Sequence, residues 1–335
     1  MLNWQIKPVL LELKYTWKIS RNSSTHKKNF IISCNFNRFS GIGETAPNIR
    51  YQETPEVILQ EFDQFVKAGG NQVNDLAELT SLLDQLKLKN ALRFGIESAY
   101  IHMLCHAEKI PVHDFLGIQP CLQKTTSYTM PILELDEVEP FYKNNRLERF
   151  TMIKLKINAD NGLELLKKMA TISNQPLIID ANEAYTNADD LLKFLRQLKP
   201  YPIALIEQPM PATCVDDYIA VKNAALFPLM ADESICDGAD FSMLTQQFNC
   251  VNMKLMKAGG YLNGLHILQQ AKAHGMQTMI GCMVETSLGI LSALNLCSFA
   301  DYADLDGFLI VKNEPLQLTY EDNGTVYNST IAAAI

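Results

Sequence analysis

Short apolar runs, each followed directly by ionisable residues, recur along the second half of the chain. Five such motifs occur in the order base, acid, acid, acid, base: Lys154–Leu155–Lys156, Asp180–Ala181–Asn182, Glu207–Gln208–Pro209, Asp232–Glu233–Ser234 and Asn252–Met253–Lys254. Their ionisable residues follow one another at intervals of 22 to 27 residues, which is about the length of one strand plus one helix. Alternating strands and helices predict a parallel sheet, and the carboxyl ends of its strands meet at one edge.

The number of repeats favours a closed barrel. Apolar runs predict eight strands, and amphipathic segments such as Leu163–Ile172 predict helices between them. Eight strands and seven helices fit a (β/α)7β modified TIM barrel of α/β class. The competitor is a doubly wound open sheet, which lacks here the Gly-rich fingerprint after its first strand. The predicted strands are 127–132, 151–157, 176–180, 203–207, 228–232, 250–255, 276–281 and 303–309.

The first 120 or so residues show a different pattern. Strands are predicted at 2–15 and Phe30–Phe36, with a polar loop at Ser20–Lys28 between them and a turn at Gly41–Glu44. Helices are then predicted at Val57–Lys67, Leu76–Leu86 and Ala91–Ala107. We expect an α+β domain at 1–122, a barrel at 123–312, and a tail at 313–335 that turns at Asn323–Gly324 and returns to the N-terminal domain.

Composition excludes several classes of protein. A formal net charge of −8 disfavours a nucleic-acid binder, which would carry a basic patch. No apolar run is long enough to span a membrane, and no signal peptide is evident. The eight cysteines are scattered, which favours reduced thiols and a cytoplasmic location over a disulfide framework or a zinc site.

Three carboxylates converge in this arrangement. Asp180, Glu207 and Asp232 would lie side by side on neighbouring strands and would repel one another unless a cation offset their charge. Carboxylate oxygens suit Mg²⁺ better than zinc or copper. Any one of these acids alone would more often be a solvated loop residue or a helix cap, so the prediction of a metal site depends on all three.

Two lysines flank the carboxylates. Lys156 and Lys254 each lie one strand beyond the trio, on opposite sides, so that one could remove a proton from a substrate and the other could return it from the opposite face. That geometry suits racemisation or epimerisation. Lys154 shares the parity of Lys156 and is expected to point inward, deeper in the barrel or against the substrate, where it could orient Lys156 or change its electrostatic environment. Lys257 is expected at the surface. A Schiff base is an alternative use of one lysine, but it explains neither the second lysine nor the acids.

Two further acidic sites follow the last strands. Asp304 and Asp306 share one face of the eighth strand and could hold a substrate ammonium, or could be a surface-turn pair. Glu285, after the seventh strand, could contact substrate or a catalytic lysine, or could cap the next helix.

The motifs together resemble the enolase superfamily, muconate-lactonizing subgroup, over nearly the whole chain. Lys154-x-Lys156, Asp180-x-Asn182, Glu207-Gln-Pro, Asp232-Glu-Ser and Asn252-x-Lys254-Leu-Met-Lys-x-Gly-Gly carry the resemblance, and Gly41-Ile-Gly-Glu44 is similar to a segment of the family's N-terminal capping domain. The resemblance implies a capped barrel, Mg²⁺ bound by the three acids, and Lys156 and Lys254 as acid/base catalysts. Asp304-x-Asp306 is similar to the ammonium-binding motif of dipeptide epimerases, which implies proton transfer at the α-carbon of a dipeptide's C-terminal residue.

The substrate's side chains are less constrained. In L-Ala-D/L-Glu epimerases an arginine from the corresponding capping loop is used, and Arg21 sits at about the matching place. Apolar or cationic dipeptides remain possible substrates. An o-succinylbenzoate synthase or a muconate cycloisomerase reaction also remains possible, although the aspartate pair counts against these two reactions. A non-catalytic binding protein would lack a lysine or a metal ligand, and none is lacking. Oligomers are frequent in the family, which leaves a homo-oligomer open.

Overall fold

The computed structural model describes residues 1–18, 23–224 and 226–329. Its first part is a three-stranded antiparallel sheet covered by helices, and its second part is an eight-stranded parallel barrel. Among the residues described, none of the helices has both the length and the apolar character that a bilayer-spanning segment needs.

The N-terminal domain has its own apolar core. Its strands are β1 (Asn3–Lys18), β2 (Ser23–Phe36) and β3 (Phe39–Thr45), and its helices are α1 (Pro55–Phe65), α2 (Leu76–Leu86), α3 (Asn90–Glu108) and the short α4 (Val112–Phe115). Buried residues of the sheet, such as Phe30 and Ile32, pack with Phe65, Leu83 and Leu92 from the helices. The three longer helices lie within two residues of their predicted bounds.

Two predictions for this domain were wrong. Residues 23–28 of the predicted loop Ser20–Lys28 belong to β2, where Lys27 pairs with Leu11 and Lys28 with Leu10. This end of the β-ribbon is mostly solvent-exposed, so its polar composition is compatible with a strand. The remaining predicted loop residues up to position 22 lie outside the described residues.

The predicted turn at Gly41–Glu44 is also part of a strand, β3. Its two glycines are explained by close packing against α3. A Cβ atom on Gly41 would lie 2.2 Å from the carbonyl oxygen of Ala99, and one on Gly43 would lie 2.2 Å from that of Gly95. Glycine is needed here because two backbones approach each other closely.

The barrel confirms the predicted α/β architecture. After β4 (Gln123–Thr125), its strands in order are β5 (Tyr128–Met130), β6 (Ile153–Lys156), β7 (Leu177–Asp180), β8 (Ile203–Glu207), β9 (Leu229–Ala231), β10 (Cys250–Lys254), β11 (Gln277–Gly281) and β12 (Tyr302–Asp304). The gap between β5 and β12 is bridged by a hydrogen bond that Ser127 N donates to Ala303 O at 3.0 Å, which makes the barrel nearly closed.

At least one helix follows each barrel strand up to β11. These helices are α5 (Val138–Asn144), α6 (Gly162–Ala170), α7 (Ala188–Gln197), α8 (Val215–Asn223), α9 (Phe241–Gln247), α10 (Leu255–Ala258), α11 (Tyr261–Ala273) and α12 (Ser287–Asn295). Their apolar faces pack against the outside of the strands; Leu166, Leu195 and Leu268 are fully or almost fully buried there. The alternation of strand and helix is the one predicted.

The tail forms the predicted hairpin. Strands β13 (Thr319–Asp322) and β14 (Thr325–Asn328) are joined at Asn323–Gly324, where both residues have positive φ, as a tight hairpin turn requires. Strand β14 pairs with β4, and Asn328 N donates to Leu122 O, so the hairpin packs against the segment that leads into the barrel. The return of the tail to the N-terminal domain stays a prediction. The domain limits of 1–122, 123–312 and 313–335 stay a prediction.

Candidate active site

Strand register brings the predicted site residues into two rows at the carboxyl end of the barrel. Lys156, Asp180 and Glu207 are direct partners across β6, β7 and β8. Lys254 and Asp304 flank Gly281 in the same way across β10, β11 and β12. Asp232 comes directly after β9, and all of these charged side chains are buried.

A network of ammonium groups and carboxylates fills this end of the barrel. The Nζ atom of Lys154 lies 3.2 Å from Oδ2 of Asp180, 2.9 Å from Oε2 of Glu207 and 2.9 Å from Oδ2 of Asp304. Lys154 therefore connects two of the three predicted metal ligands, Asp180 and Glu207, to Asp304 of the predicted ammonium-binding pair.

The other two predicted lysines approach the carboxylates from opposite sides. Lys156 Nζ lies 2.7 Å from Oδ2 of Asp180 and donates to Oδ1 of Asn182 at 2.9 Å. Lys254 Nζ lies 2.9 Å from Oδ2 of Asp232. Both lysines line one cavity, so a molecule bound in it can meet an ammonium group on each face.

The protonation of the acids follows from burial and from these lysines. Burial favours the neutral form, but the ammonium groups of Lys156 and Lys154 outweigh it and hold the pKa of Asp180 down at about 2. Asp232 is likewise buried, and Lys254 and Lys257 hold its pKa well below the ordinary value. Burial raises the pKa of Glu207 to about 7 against the opposing effect of Lys154.

The donor set fits a hard divalent cation, although its present arrangement does not form a metal site. Among the described residues, no three acidic, histidine or cysteine side chains are placed so that they could hold a metal ion. Lysine ammonium groups lie against the oxygens instead. Oε2 of Glu207 accepts no hydrogen bond from the described residues, although Lys154 Nζ lies 2.9 Å away. Carboxylate oxygens are the ligands that Mg²⁺ prefers. This group supplies three buried carboxylates, one of which has an oxygen that accepts no hydrogen bond from the described residues.

The aspartate pair after β12 also faces the cavity. Oδ1 of Asp304 accepts hydrogen bonds from the hydroxyls of Ser127 at 2.8 Å and Thr129 at 3.2 Å. Asp306 accepts from the backbone N–H of Thr129 at 2.5 Å, and burial together with the neighbouring Asp304 raises its pKa to about 7. Both line the cavity and are almost fully buried, so they do not form an exposed surface turn.

Two further residues, Arg21 and Glu285, were predicted to contact the substrate. Arg21 lies outside the described residues. The cavity lining does not include Glu285, whose carboxyl accepts from Met283 N at 2.6 Å and sits beside the carboxyl of Glu44. Burial, and then the charge of Glu44, raise the pKa of Glu285 to about 8. Its role in substrate binding stays a prediction.

The N-terminal domain closes one side of the cavity. Trp17, Lys27 and Asn29 line the cavity from β1 and β2, and Arg50 and Tyr51 line it from the segment after β3. Asn29 is fixed there because its Nδ2 donates both to Glu44 and to the backbone oxygen of Val284 in the barrel.

The prediction that Lys257 lies at the surface was wrong. It is 2% exposed, and its Nζ lies 2.5 Å from Oδ1 of Asp232. The available signal was its place in Leu255–Met256–Lys257–Ala258, where the other three residues are apolar and also buried. A lysine in an apolar turn after a strand ending in Lys254 points to a buried partner.

Comparisons with known proteins identify the family. Residues 140–321 match the model of the family described as enolase C-terminal domain-like. The chain is 31% identical, over 93% of its length and 92% of the relative's, to an L-Ala-D/L-amino acid epimerase of Pedosphaera parvula.

Two solved structures share the whole fold. One, from Agrobacterium tumefaciens, is an enolase family member with homology to dipeptide epimerases that holds sodium and L-Ala-L-Glu; it is 26% identical, with a TM-score of 0.86 and 98% of each chain covered. A dipeptide epimerase of Enterococcus faecalis, complexed with Mg and L-Leu-L-Tyr, is 23% identical, with a TM-score of 0.86, covering 97% of this chain and 96% of the other. The chain therefore belongs to the enolase superfamily, to its mandelate racemase/muconate lactonizing subgroup, and within it to the dipeptide epimerase-like racemases and epimerases.

Proposed function

We propose that the protein is a cytoplasmic, Mg²⁺-dependent dipeptide epimerase that inverts the α-carbon of the C-terminal residue, with L-Ala-D/L-Glu as the preferred substrate. The observation that carries this proposal is the placement of Lys156 and Lys254 on opposite sides of one cavity, with buried carboxylates between them. Two bases on opposite faces of a carbon are what inversion by proton transfer requires.

Asp180, Glu207 and Asp232 would hold the metal ion. When bound, the ion would stabilise negative charge on the substrate carboxylate. The ammonium groups of Lys154, Lys156 and Lys254 lie within 3.2 Å of these carboxylates. A divalent cation would be held by the same carboxylate oxygens that these ammonium groups approach.

The lysines carry out the proton transfer. One lysine, in its neutral form, accepts the α-proton through Nζ, and the electron pair of the broken C–H bond moves into the carboxylate to give an enediolate. The other lysine, as an ammonium group, donates a proton to the opposite face of the same carbon. The two lysines have then exchanged protonation states, and the product is the epimer.

Asp304 and Asp306 would bind the N-terminal ammonium of the dipeptide. Both line the cavity, and Asp304 already accepts a hydrogen bond from the ammonium group of Lys154 at 2.9 Å. A charged donor at this place is therefore compatible with the surrounding groups. Substrates of an o-succinylbenzoate synthase or a cycloisomerase have no ammonium to place here, which disfavours those reactions.

The preference for an acidic side chain is supported by Lys27. This residue lines the cavity from β2, and no described carboxylate forms an ion pair with it. Burial lowers the pKa of Lys27, which reflects an ammonium group partly removed from water without a compensating charge. A glutamate side chain of the substrate would supply that negative charge. Arg21, from the same domain, would supply a second positive charge to pair with it.

Proton NMR in D₂O tests the proposal. The enzyme with Mg²⁺ is incubated with a library of L-Ala-L-Xaa dipeptides, and loss of the α-proton signal of the C-terminal residue is followed together with the appearance of a diastereomer. Exchange that is fastest for L-Ala-L-Glu is expected. Absence of exchange in every dipeptide would refute epimerisation, and fastest exchange in apolar dipeptides would refute the acidic preference.

A further inference from the structure

Lys257 differs from the other buried lysines of the barrel. Lys154, Lys156 and Lys254 line the cavity, whereas the cavity lining does not include Lys257. Its side chain is 1% exposed, and its ammonium group contacts the carboxylate of Asp232. Lys257 therefore has no access to a bound substrate, and any effect on the reaction must pass through another residue.

The contacts of Lys257 identify that residue. Its Nζ donates to Oδ1 and to the backbone oxygen of Asp232, each at 2.5 Å. It also donates to the backbone oxygen of Ile235 at 3.0 Å and to that of Asn252 at 3.2 Å. One ammonium group thus joins the loop after β9 to the middle of β10 and holds both the main chain and the side chain of Asp232.

The two oxygens of Asp232 consequently have different environments. Oδ1 is directed to Lys257, away from the cavity, and Oδ2 is directed to Lys254 at 2.9 Å, at the cavity wall. The backbone N–H of Asp232 is fixed in addition, because it donates to Oε1 of Gln208 at 2.8 Å. Rotation of the carboxylate would break a charge-assisted hydrogen bond that is shielded from water.

We propose that Lys257 is a positioning residue that keeps Oδ2 of Asp232 turned toward the cavity, where it is available to a divalent cation. This inference rests on the proposed function for the identity of the cation, but not on the identity of the dipeptide. Partners of this kind, one shell outside a metal ligand, typically change metal affinity about 10- to 100-fold when they are removed.

A purely structural role makes a different prediction. If Lys257 only joined two loops, its loss would lower stability and leave metal affinity unchanged in the folded protein. The chain offers a matched control for that case. Lys222 donates from Nζ to the backbone oxygens of Thr245 and, at 2.8 Å, Phe248, and neither contact includes a carboxylate.

The experiment compares Lys257→Met with Lys222→Met in the full-length chain. Isothermal titration calorimetry with MgCl₂, and with MnCl₂ as a second probe, gives the metal Kd, and thermal unfolding gives the Tm. Lys257→Met is expected to weaken metal binding about 10- to 100-fold. Lys222→Met is expected to lower the Tm and to keep the wild-type Kd. A wild-type Kd in folded Lys257→Met would overturn the inference.

A second variant keeps the inference testable if Lys257→Met does not fold. Lys257→Arg keeps the positive charge, but its planar guanidinium cannot converge on the same four oxygens. It is expected to fold and to bind Mg²⁺ about 10-fold more weakly, and an unchanged Kd would contradict the positioning role. Epimerisation is assayed separately, so wild-type enzyme that binds Mg²⁺ but exchanges no dipeptide would refute the proposed function without affecting the inference on Lys257.

Discussion

The inward-facing side chains of the barrel form two layers of opposite character. The lower layer consists of Ile178, Leu205, Met230, Cys250 and Met279, which are almost completely buried and pack on one another. The upper layer consists of Lys156, Asp180, Glu207, Asp232, Lys254 and Asp304, which are also buried but charged. On β7, β8 and β9 the two layers are only two residues apart along the chain, as Ile178 and Asp180 illustrate.

The two layers contribute differently to the folded state. Removing apolar side chains from water stabilises the barrel by about 1.5–3 kcal/mol for each large residue. Burying carboxylates and ammonium groups costs free energy that their mutual attraction offsets only in part. Because six adjacent charges are an inefficient way to stabilise a barrel, the upper layer is best explained by chemistry and the lower layer by stability.

The largest expected effect is the loss of a flanking lysine. Lys156→Ala and Lys254→Ala should each reduce epimerisation at least about 10²- to 10⁴-fold, because one base of the pair is missing. The lysine that remains should still exchange the α-proton of the one epimer that presents its C–H bond to it. Proton NMR in D₂O on both the L,L- and L,D-dipeptides separates exchange from inversion.

Lys168→Ala is the control for the lysine variants, since Lys168 lies on α6, is partly exposed, forms an ion pair with Glu139 and does not line the cavity. Normal inversion in either the Lys156 or the Lys254 variant would exclude the two-base mechanism.

The second prediction concerns the lower layer. Leu205→Ala should lower the free energy of unfolding by about 2–5 kcal/mol, because Leu205 is fully buried and the cavity left behind is not refilled. The kcat of the folded enzyme should stay close to that of the wild type. Urea unfolding monitored by circular dichroism gives the first quantity, and turnover well below the Tm gives the second.

Glu207→Gln, two residues further along the same strand, should behave in the opposite way. Loss of a predicted metal ligand should abolish turnover, whereas stability should change little because the neutral amide is easier to bury than a charge. If Leu205→Ala lost turnover without losing stability, the division into two layers would be wrong.

The third prediction tests the ammonium site. Asp304→Asn should lower kcat/KM for dipeptides about 10- to 100-fold, which corresponds to loss of one hydrogen bond between charged groups, about 1.5–3 kcal/mol. An N-acetylated dipeptide has no ammonium group and should lose much less activity from its lower starting value. Equal losses for free and acetylated dipeptides would instead assign Asp304 to the alignment of Lys154.

Sequence reasoning was most successful where the two layers repeat. Strands β6 to β10 and β12 end in a charged residue or are followed directly by one, so the existence, order and parity of these strands could be predicted directly. All eight observed barrel strands lie inside or nearly inside the predicted ranges. It was less successful in the N-terminal domain. There the exposed end of β2 has the composition of a loop, and β3 carries glycines that are required by contact with α3, not by a turn.

The site was predictable as a set of residues but not as a network. Strand parity places Asp180 and Glu207 beside each other, because their position depends only on backbone register. Two other features depend on long side chains and on loop conformation. One is that Lys154 bridges Asp180, Glu207 and Asp304, and the other is that Lys257 is buried against Asp232. Those contacts join residues that are up to 150 positions apart, and periodicity carries no information about them.

The smallest expected effect is at Lys27, which belongs to neither layer and approaches the cavity from the N-terminal domain. Lys27→Met should lower kcat/KM for L-Ala-L-Glu about fivefold, since a partly exposed ion pair contributes about 1 kcal/mol. The value for the isosteric L-Ala-L-Gln should change little.

Lys28→Met is the matched control, because Lys28 is the next residue on the same strand, is exposed, and points to the other face. A larger loss for the glutamine dipeptide, or the same loss in both variants, would remove the reason to assign an acidic substrate. A shift confined to Lys27→Met and to the glutamate dipeptide would show that the N-terminal domain selects the side chain, while the upper layer of the barrel carries the reaction common to all dipeptides.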